Sequence, residues 1–546
     1  MKRWNLHQAR WAFLSLAATT VLAGCEPSSL EGPKNRVLSD GPQGAIIPTH
    51  AFVMGGVEEV ERGVLQAPEI DVRTLQAAPS AVGQAGGFPV VIVRSGNGAG
   101  KGNGPVVDNL ADAVAMVAPG GTIRIFPGEY QVDGVTIQKA VTIVGTGGRP
   151  VIRNTTSAFS FGVVGPFAGL VTFRGLDFEL TAGSDGSIQA LFDSHDVLVE
   201  NCSFDASGSV SGIRAFAVTP GQGKVTVRNS SFRNGSVGTF AYNGATIDVE
   251  NSSFAGHTFG GLQYQGSTSG TVTGNDIGPC GIYSCIRVFA SDVDVTNNRL
   301  TESRTDVNGF FHNLVIYGSD ATGTVSNNEF DGCGHGQCVA AISRADIAVV
   351  NNTFTIYPDH DTRFAVAAAD GYGGTEPDYS QYASNIFALG NTIQAAPGSV
   401  VADRNDPNSY ALIHAGMLAE NAGTITAIDN DISNAHTGIM VAGWNQSVSG
   451  SDGGVVNGSG NSIDLVHDGI LIWGSSQVDF RSNDFTDYVF PISEGNRDEP
   501  SDLTCNWWGS VSGPAMVAPS VDPALYTPWA TSPVAGTGSM SCIGGI

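Results

Sequence analysis

Residues 293–300 read VDVTNNRL, residues 323–330 GTVSNNEF and residues 347–354 IAVVNNTF. In each, alternating apolar residues lead to asparagine and, one or two residues later, a large apolar residue closes the phrase. Earlier copies are VLVENCSF (197–204), VTVRNSSF (225–232) and IDVENSSF (247–254), and a late one is DLTCNWW (502–508). The closing residues are Phe178, Phe204, Phe232, Phe254, Ile277, Leu300, Phe330, Phe354, Ile393, Ile432, Ile463, Phe485 and Trp508. Their most regular spacings are 22 to 24 residues, and two steps of 39 around Ile393 mark inserted loops. Period-two alternation, β-branched residues and Gly/Asn/Asp punctuation make these segments strands. A unit of that length with short strands cannot bury its apolar face alone, but coils stacked about 4.8 Å apart can. Asparagine serves such a stack twice. It tolerates left-handed backbone at a tight corner, and its amide can bond the asparagine of the next coil.

These phrases resemble the right-handed parallel β-helix of the pectin-lyase-like superfamily, across roughly residues 105–510. The expected fold is therefore all-β, a single-stranded right-handed parallel β-helix of about 13–15 coils. VVDNLADAVAMVAPGGTIRIFPGEY (106–130) reads as a short amphipathic helix capping the first strand, since an open coil end would expose sheet edge and core. CNWWGSVSGP (505–514) resembles the phrase that often closes such proteins. The superfamily includes lyases, hydrolases, epimerases, esterases and binding proteins, so the fold constrains function weakly.

The first residues are read apart from the fold. Lys2, Arg3 and Arg10 precede WAFLSLAATTVLAG, an apolar run too short for a good membrane span. Leu22-Ala23-Gly24-Cys25 resembles a bacterial lipobox, which implies cleavage before Cys25, lipidation there, and tethering to the outer membrane or cell surface. The organisation expected is a signal peptide (1–24), a Pro/Gly/Ala/Ser-rich linker (25–90), the β-helix (91–515) and a C-terminal tail over the last coil (516–546).

With 26 basic and 51 acidic residues the formal charge is −25. That excludes nucleic acid and an anionic membrane surface as natural partners. A bare polyanion would need local arginines or Ca²⁺. No lysine follows Lys224, so positive charge in the second half must come from arginine or histidine.

FDGCGHGQC (330–338) and IGPCGIYSC (277–285) occupy the same place in their coils, two coils apart. Matching cysteines so placed are too distant to bridge, which favours self-closed loops, Cys280–Cys285 and Cys333–Cys338. A metal cradle of Cys333, His335 and Cys338 lacks a counterpart, because the sister loop has Tyr283 and no histidine. A hydrolase Gly-His-Gly lacks the Asn-Thr-Asp, Asp-Asp and Arg-x-Lys that accompany it in polygalacturonases. Cys505 and Cys542 can pin the tail, and Cys202 reads as a small buried residue.

Aligning the second strand of each coil predicts an outward column. It contains Arg214, Phe216, Phe240, Tyr242, Gln263, Gln265, Arg287, Phe289, Tyr317, His414, Met440, Trp444 and Trp473. Aromatics among Arg and Gln suit a sugar chain, whose ring faces stack while its hydroxyls find planar partners; cover by loops is the competing reading. The long insertions concentrate ionisable groups, and His436 and His467 match one coil apart. For proton abstraction beside a uronic carboxylate, His360 or His414 is the candidate base. Arg363 or Arg404 would neutralise the carboxylate, Tyr372 would be the acid, and Asp359 with Asp361 would hold Ca²⁺, the one cofactor considered. The expectation is a tethered protein acting on polysaccharide, lyase-like or epimerase-like in preference to hydrolytic. The alternative is a non-catalytic glycan-binding or structural surface lipoprotein.

Overall fold

The computed structural model describes residues 87–534 apart from 96–103, 156–158, 182–185, 193–194, 207–210, 218–221, 282–283, 302–311, 334–335, 357–361, 370–382, 397–412, 444–452, 496–500, 516 and 518–520. Within it every strand pairing is parallel to the equivalent strand of the next coil, and the coils form three faces.

The first face is a 16-stranded sheet in which His195–Glu200, Lys224–Arg228 and Thr246–Glu250 follow one another in register. The second face carries the closing residues of the repeat, with Phe178 opposite Phe204, Phe204 opposite Phe232 and Phe232 opposite Phe254. The third face holds the second strand type: Ser211–Ala217, Val237–Tyr242, Gly260–Gln265 and Ser284–Phe289. Second and third faces join into one 26-stranded sheet because Ser462–Trp473 runs through the corner, pairing with both Asp431–Ser433 and Thr437–Ala442.

All thirteen closing residues are buried, none more than 2% exposed. Stacking one coil on the next places like on like. The rings of Phe178, Phe204, Phe232 and Phe254 lie 4.4–4.7 Å apart and within 2° of parallel, the spacing that the β-ladder itself imposes.

The two uses expected of one asparagine fall to two adjacent residues. The first takes left-handed backbone at the corner: Asn201, Asn229, Asn251, Asn297, Asn327 and Asn351 have φ of 48–56°, which Asn tolerates through local hydrogen bonding. The second is buried and makes the ladder. Asn298 Nδ2 donates to Asn328 Oδ1 (3.0 Å), Asn328 Nδ2 to Asn352 Oδ1 (3.0 Å), and Asn352 Nδ2 to Asn391 Oδ1 (3.0 Å). The series continues through Asn430, Asn461 and Asn483 to Asn506. Towards the N-terminus the rungs change to Ser252, Ser230 and Cys202. Cys202 is thus both the buried small residue expected and a ladder position; burial pushes its thiol up to about 12.

The helix Leu110–Met116 starts at Asn109, whose side chain accepts from the Asp112 N–H, and buries Leu110, Ala113 and Val114 in the core. At the far end Trp508 stacks on Phe485 at 4.5 Å. Leu503 and Cys505 N–H groups donate to Leu525 and Pro528, bringing part of the tail beside the last coil. Cys280–Cys285 and Cys333–Cys338 are disulfides within their own loops. Cys505 is also disulfide-bonded; its expected partner Cys542, like Cys25 and His335, lies outside the described residues.

Candidate functional site

The third face presents two outward columns, because its inward positions (Ile213 and Ala215, Leu262 and Tyr264, Ile286 and Val288) fill the core. One column runs Arg214, Phe240, Gln263, Arg287, Val315; the other runs Phe216, Tyr242, Gln265, Phe289, Tyr317. Phe216, Tyr242, Gln265 and Phe289 are half-buried on successive coils. Phe216 and Tyr242 rings lie 5.6 Å apart, and Phe289 and Tyr317 rings 4.8 Å apart. Arg287 is buried and donates to the Tyr317 hydroxyl at 2.9 Å, which fixes its guanidinium at the edge of the strip. No carboxylate stands in either column over this stretch.

Under the strip's C-terminal end His312 pairs across coils with Gln337. Burial lowers the His312 pKa to about 4, with repulsion from Arg287 adding to it and Gln337 opposing it.

Further along, the same columns become buried and, apart from Glu420, apolar. Leu418 and Met440 are 1% and 3% exposed, and with Phe364, Ala367, Ala415, Ala442 and Leu471 they form a cluster outside the core. Trp473 packs at its edge. This half of the face is covered. The register also separates His414 from the strip columns, since Leu418 and Glu420 occupy its expected place.

A different alignment emerges at the corner preceding these strands. Phe364 stands opposite Ala415, Ala415 opposite Thr437, and Thr437 opposite Asp468. The residue before each is Arg363, His414, His436 or His467, so these four hold one register position on four consecutive coils. His436 and His467 rings stack at 4.8 Å. His467 Nδ1 lies 3.1 Å and His436 Nδ1 3.7 Å from Asp468 Oδ2. The Ser493 hydroxyl donates to the other oxygen, Asp468 Oδ1. Asp468 and Ser493 are absent from the sequence-based set; the signal available was His-Asp-Gly one coil after His-Thr-Gly.

Of the remaining sequence-based candidates, Arg363 and His414 lie in described strands but only their backbone is placed. Asp359, His360, Asp361, Tyr372, Arg404 and Trp444 lie outside the described residues, and with them the expected Ca²⁺ pair. A groove among the described residues runs elsewhere, along the first corner past Asp177, Ser203, Ser231 and Ser253. Its Arg149 is tied to Asp177 and to the Asn201 carbonyl, so the groove is braced by its own residues.

The chain is a right-handed parallel β-helix. The family described as "Right handed beta helix region" matches residues 128–277 and 214–375. Among solved structures it is similar to the catalytic unit of a thermostable α-1,3-glucanase from Streptomyces thermodiastaticus. The two share 18% identity with a TM-score of 0.43, covering 64% of this chain and 64% of that one, just under two thirds of its length. It is also similar to the A-module of a mannuronan C-5 epimerase from Azotobacter vinelandii (12% identity, TM-score 0.34, covering 73% and 92%). A third likeness is to PfbA, a surface adhesin of Streptococcus pneumoniae (11%, TM-score 0.36, 72% and 87%). No curated protein sequence matches the chain.

Proposed function

We propose that this protein holds a uronic-acid-containing polysaccharide along its third face and acts on it by proton abstraction beside the uronic carboxylate, as a lyase or epimerase does. The observation that carries the reading is the shared face. A half-buried strip of Phe216, Tyr242, Gln265 and Phe289, edged by Arg214 and Arg287, leads towards a corner where Arg363, His414, His436 and His467 align. Aromatic faces suit sugar rings, and the arginines that edge the strip suit a carboxylated chain. The strip's lack of carboxylates speaks against the two-carboxylate machinery of hydrolysis there. In this reading Arg363 neutralises the carboxylate and His414 or His360 removes the proton. Tyr372 protonates the leaving oxygen, and Arg404, Trp444 and Trp473 complete the contacts. Any Ca²⁺ would be held by Asp359 and Asp361. Tethering through Cys25 would place the activity at the cell surface.

The test is incubation with alginates, pectates and glycosaminoglycans, following the ultraviolet absorbance of unsaturated ends and proton exchange at the epimerised carbon. Activity lost in Arg363→Ala and His414→Ala with an unchanged melting transition is the expected result. Wild-type turnover in both variants contradicts the assignment.

One observation favours a second, non-catalytic reading. The face beside the histidine corner is buried at Leu418 and Met440, so a glycan confined to the strip would be bound and left unchanged. Affinity without product over the whole panel would establish it.

A further inference from the structure

We infer that His436, His467 and Asp468, at the histidine corner of the third face, form a binding site for a divalent first-row transition metal of the Zn²⁺ class; the site rests on its own geometry and not on glycan binding. The three side chains offer ligand atoms all within 4.8 Å of one another. Two ligands at zinc's usual bond lengths and tetrahedral angle sit about 3.4 Å apart. The imidazole-to-carboxylate separations of 3.1 and 3.7 Å bracket that value. His467 Nδ1 is bonded to Asp468 Oδ2, and His436 Nδ1, 3.2 Å from the Thr437 hydroxyl, lies on the same side of that oxygen at 3.7 Å. One carboxylate oxygen facing two imidazole nitrogens is an arrangement that a single cation between them completes.

Neighbouring groups supply what a metal site needs beyond its ligands. The Ser493 hydroxyl donates to Asp468 Oδ1, holding the carboxylate with its second oxygen towards the histidines; such supports commonly set metal affinity. Phe490 packs edge-on against His467 at 5.3 Å and fixes that ring. The histidine side chains differ in access, 8% exposed for His467 and 18% for His436. Rotation of the more accessible His436 ring closes the set, and its side is where a water or a ligand oxygen would take the open position. Two imidazoles with one carboxylate select a borderline metal such as Zn²⁺ and not the all-oxygen shell that Ca²⁺ prefers.

The experiment uses untagged, metal-stripped full-length chain titrated with Zn²⁺ against a chromophoric chelator, with Co²⁺ as a spectroscopic stand-in. The inference predicts one Zn²⁺ per chain, visible Co²⁺ bands of a site with nitrogen and oxygen ligands, and loss of both in His436→Ala. Because His436 is accessible, this variant should keep the metal-free melting transition of the wild type. Ser493→Ala should weaken binding by roughly tenfold or more. No Zn²⁺ retained by the wild type, or equal stoichiometry and affinity in His436→Ala and His467→Gln, overturns the site. Tyr242→Ala, which alters only the strip, is expected to bind Zn²⁺ as the wild type does, so the metal result stands apart from the fate of the proposed function.

Discussion

The coils before Ile277 and those after it share one frame but are built from different residues. In the first group the closing residues are a phenylalanine stack and the corner rungs are Cys202, Ser230 and Ser252. In the second the closing residues divide equally between aliphatic and aromatic, and every rung from Asn275 to Asn506 is asparagine. A serine rung makes two bonds: Ser252 Oγ donates to the Glu250 carbonyl and accepts from the Ser230 N–H. Asn391 makes four. Its Nδ2 donates to the Val349 carbonyl and Asn430 Oδ1, and its Oδ1 accepts from the backbone N–H and Nδ2 of Asn352. The stronger rungs lie where the 39-residue steps interrupt the stack, and closing a longer loop costs more chain entropy. The third face divides at nearly the same place, half-exposed aromatics before and buried aliphatics after. The frame is constant, while rungs and outer face are fitted to what each half must hold.

The largest expected effect contrasts the rungs. Asn391→Ala should cost about 4 kcal/mol, against about 2 kcal/mol for Ser252→Ala, scaling with the bonds removed. Denaturant unfolding of the two variants measures the difference, and equal costs would break the comparison.

Acid is the next probe. Burial pushes His312, and likewise His257 in the other half, down to about 4. A histidine so lowered binds protons less in the folded than in the unfolded chain. Stability is therefore full above about pH 6.5 and lost as pH falls towards 4, by roughly 3 kcal/mol for each residue. Gln in place of either should flatten the pH dependence of the melting transition between those values.

The outer face gives a third contrast. Leu418→Ala should cost about 3 kcal/mol because the side chain is buried, whereas Tyr242→Ala should cost about 1 kcal/mol or less. Similar losses at both would mean that the strip is as covered as the Leu418 cluster. The smallest effect expected is on binding alone, where Tyr242→Ala should weaken an oligouronate by about tenfold, read by calorimetry.

The frame was legible because it is written locally and repeatedly. Phe204, Phe232 and Phe254 recur at coil intervals, and period-two strands flank them. The cysteine loops were legible for the same reason, since their shared position ruled out a bridge between them. The sharing of corner work between Asn297 and Asn298 was not, because adjacent asparagines look alike in sequence while only one turns inward. Burial of Leu418 and Met440 was hidden too; alternation gives the side of the sheet but not what lies over it. The corner set needed register. The varied insertions hide that His414, His436 and His467 share a position, and Ser493, a coil beyond Asp468, gives no local signal. Arg363 and His414 were chosen as ionisable groups in a half of the chain without lysine, a choice that carries no information on what their side chains do.

The central claim is that the open half of the third face grips a carboxylated glycan. It is tested most directly by titrating oligouronates into wild-type protein and a Tyr242→Ala/Phe289→Ala double variant at low and raised salt. The account predicts binding by the wild type that weakens with salt, and affinity at least about tenfold lower in the double variant with its melting transition essentially kept. Equal affinity in both proteins, or no binding of any oligouronate by the wild type, would contradict it.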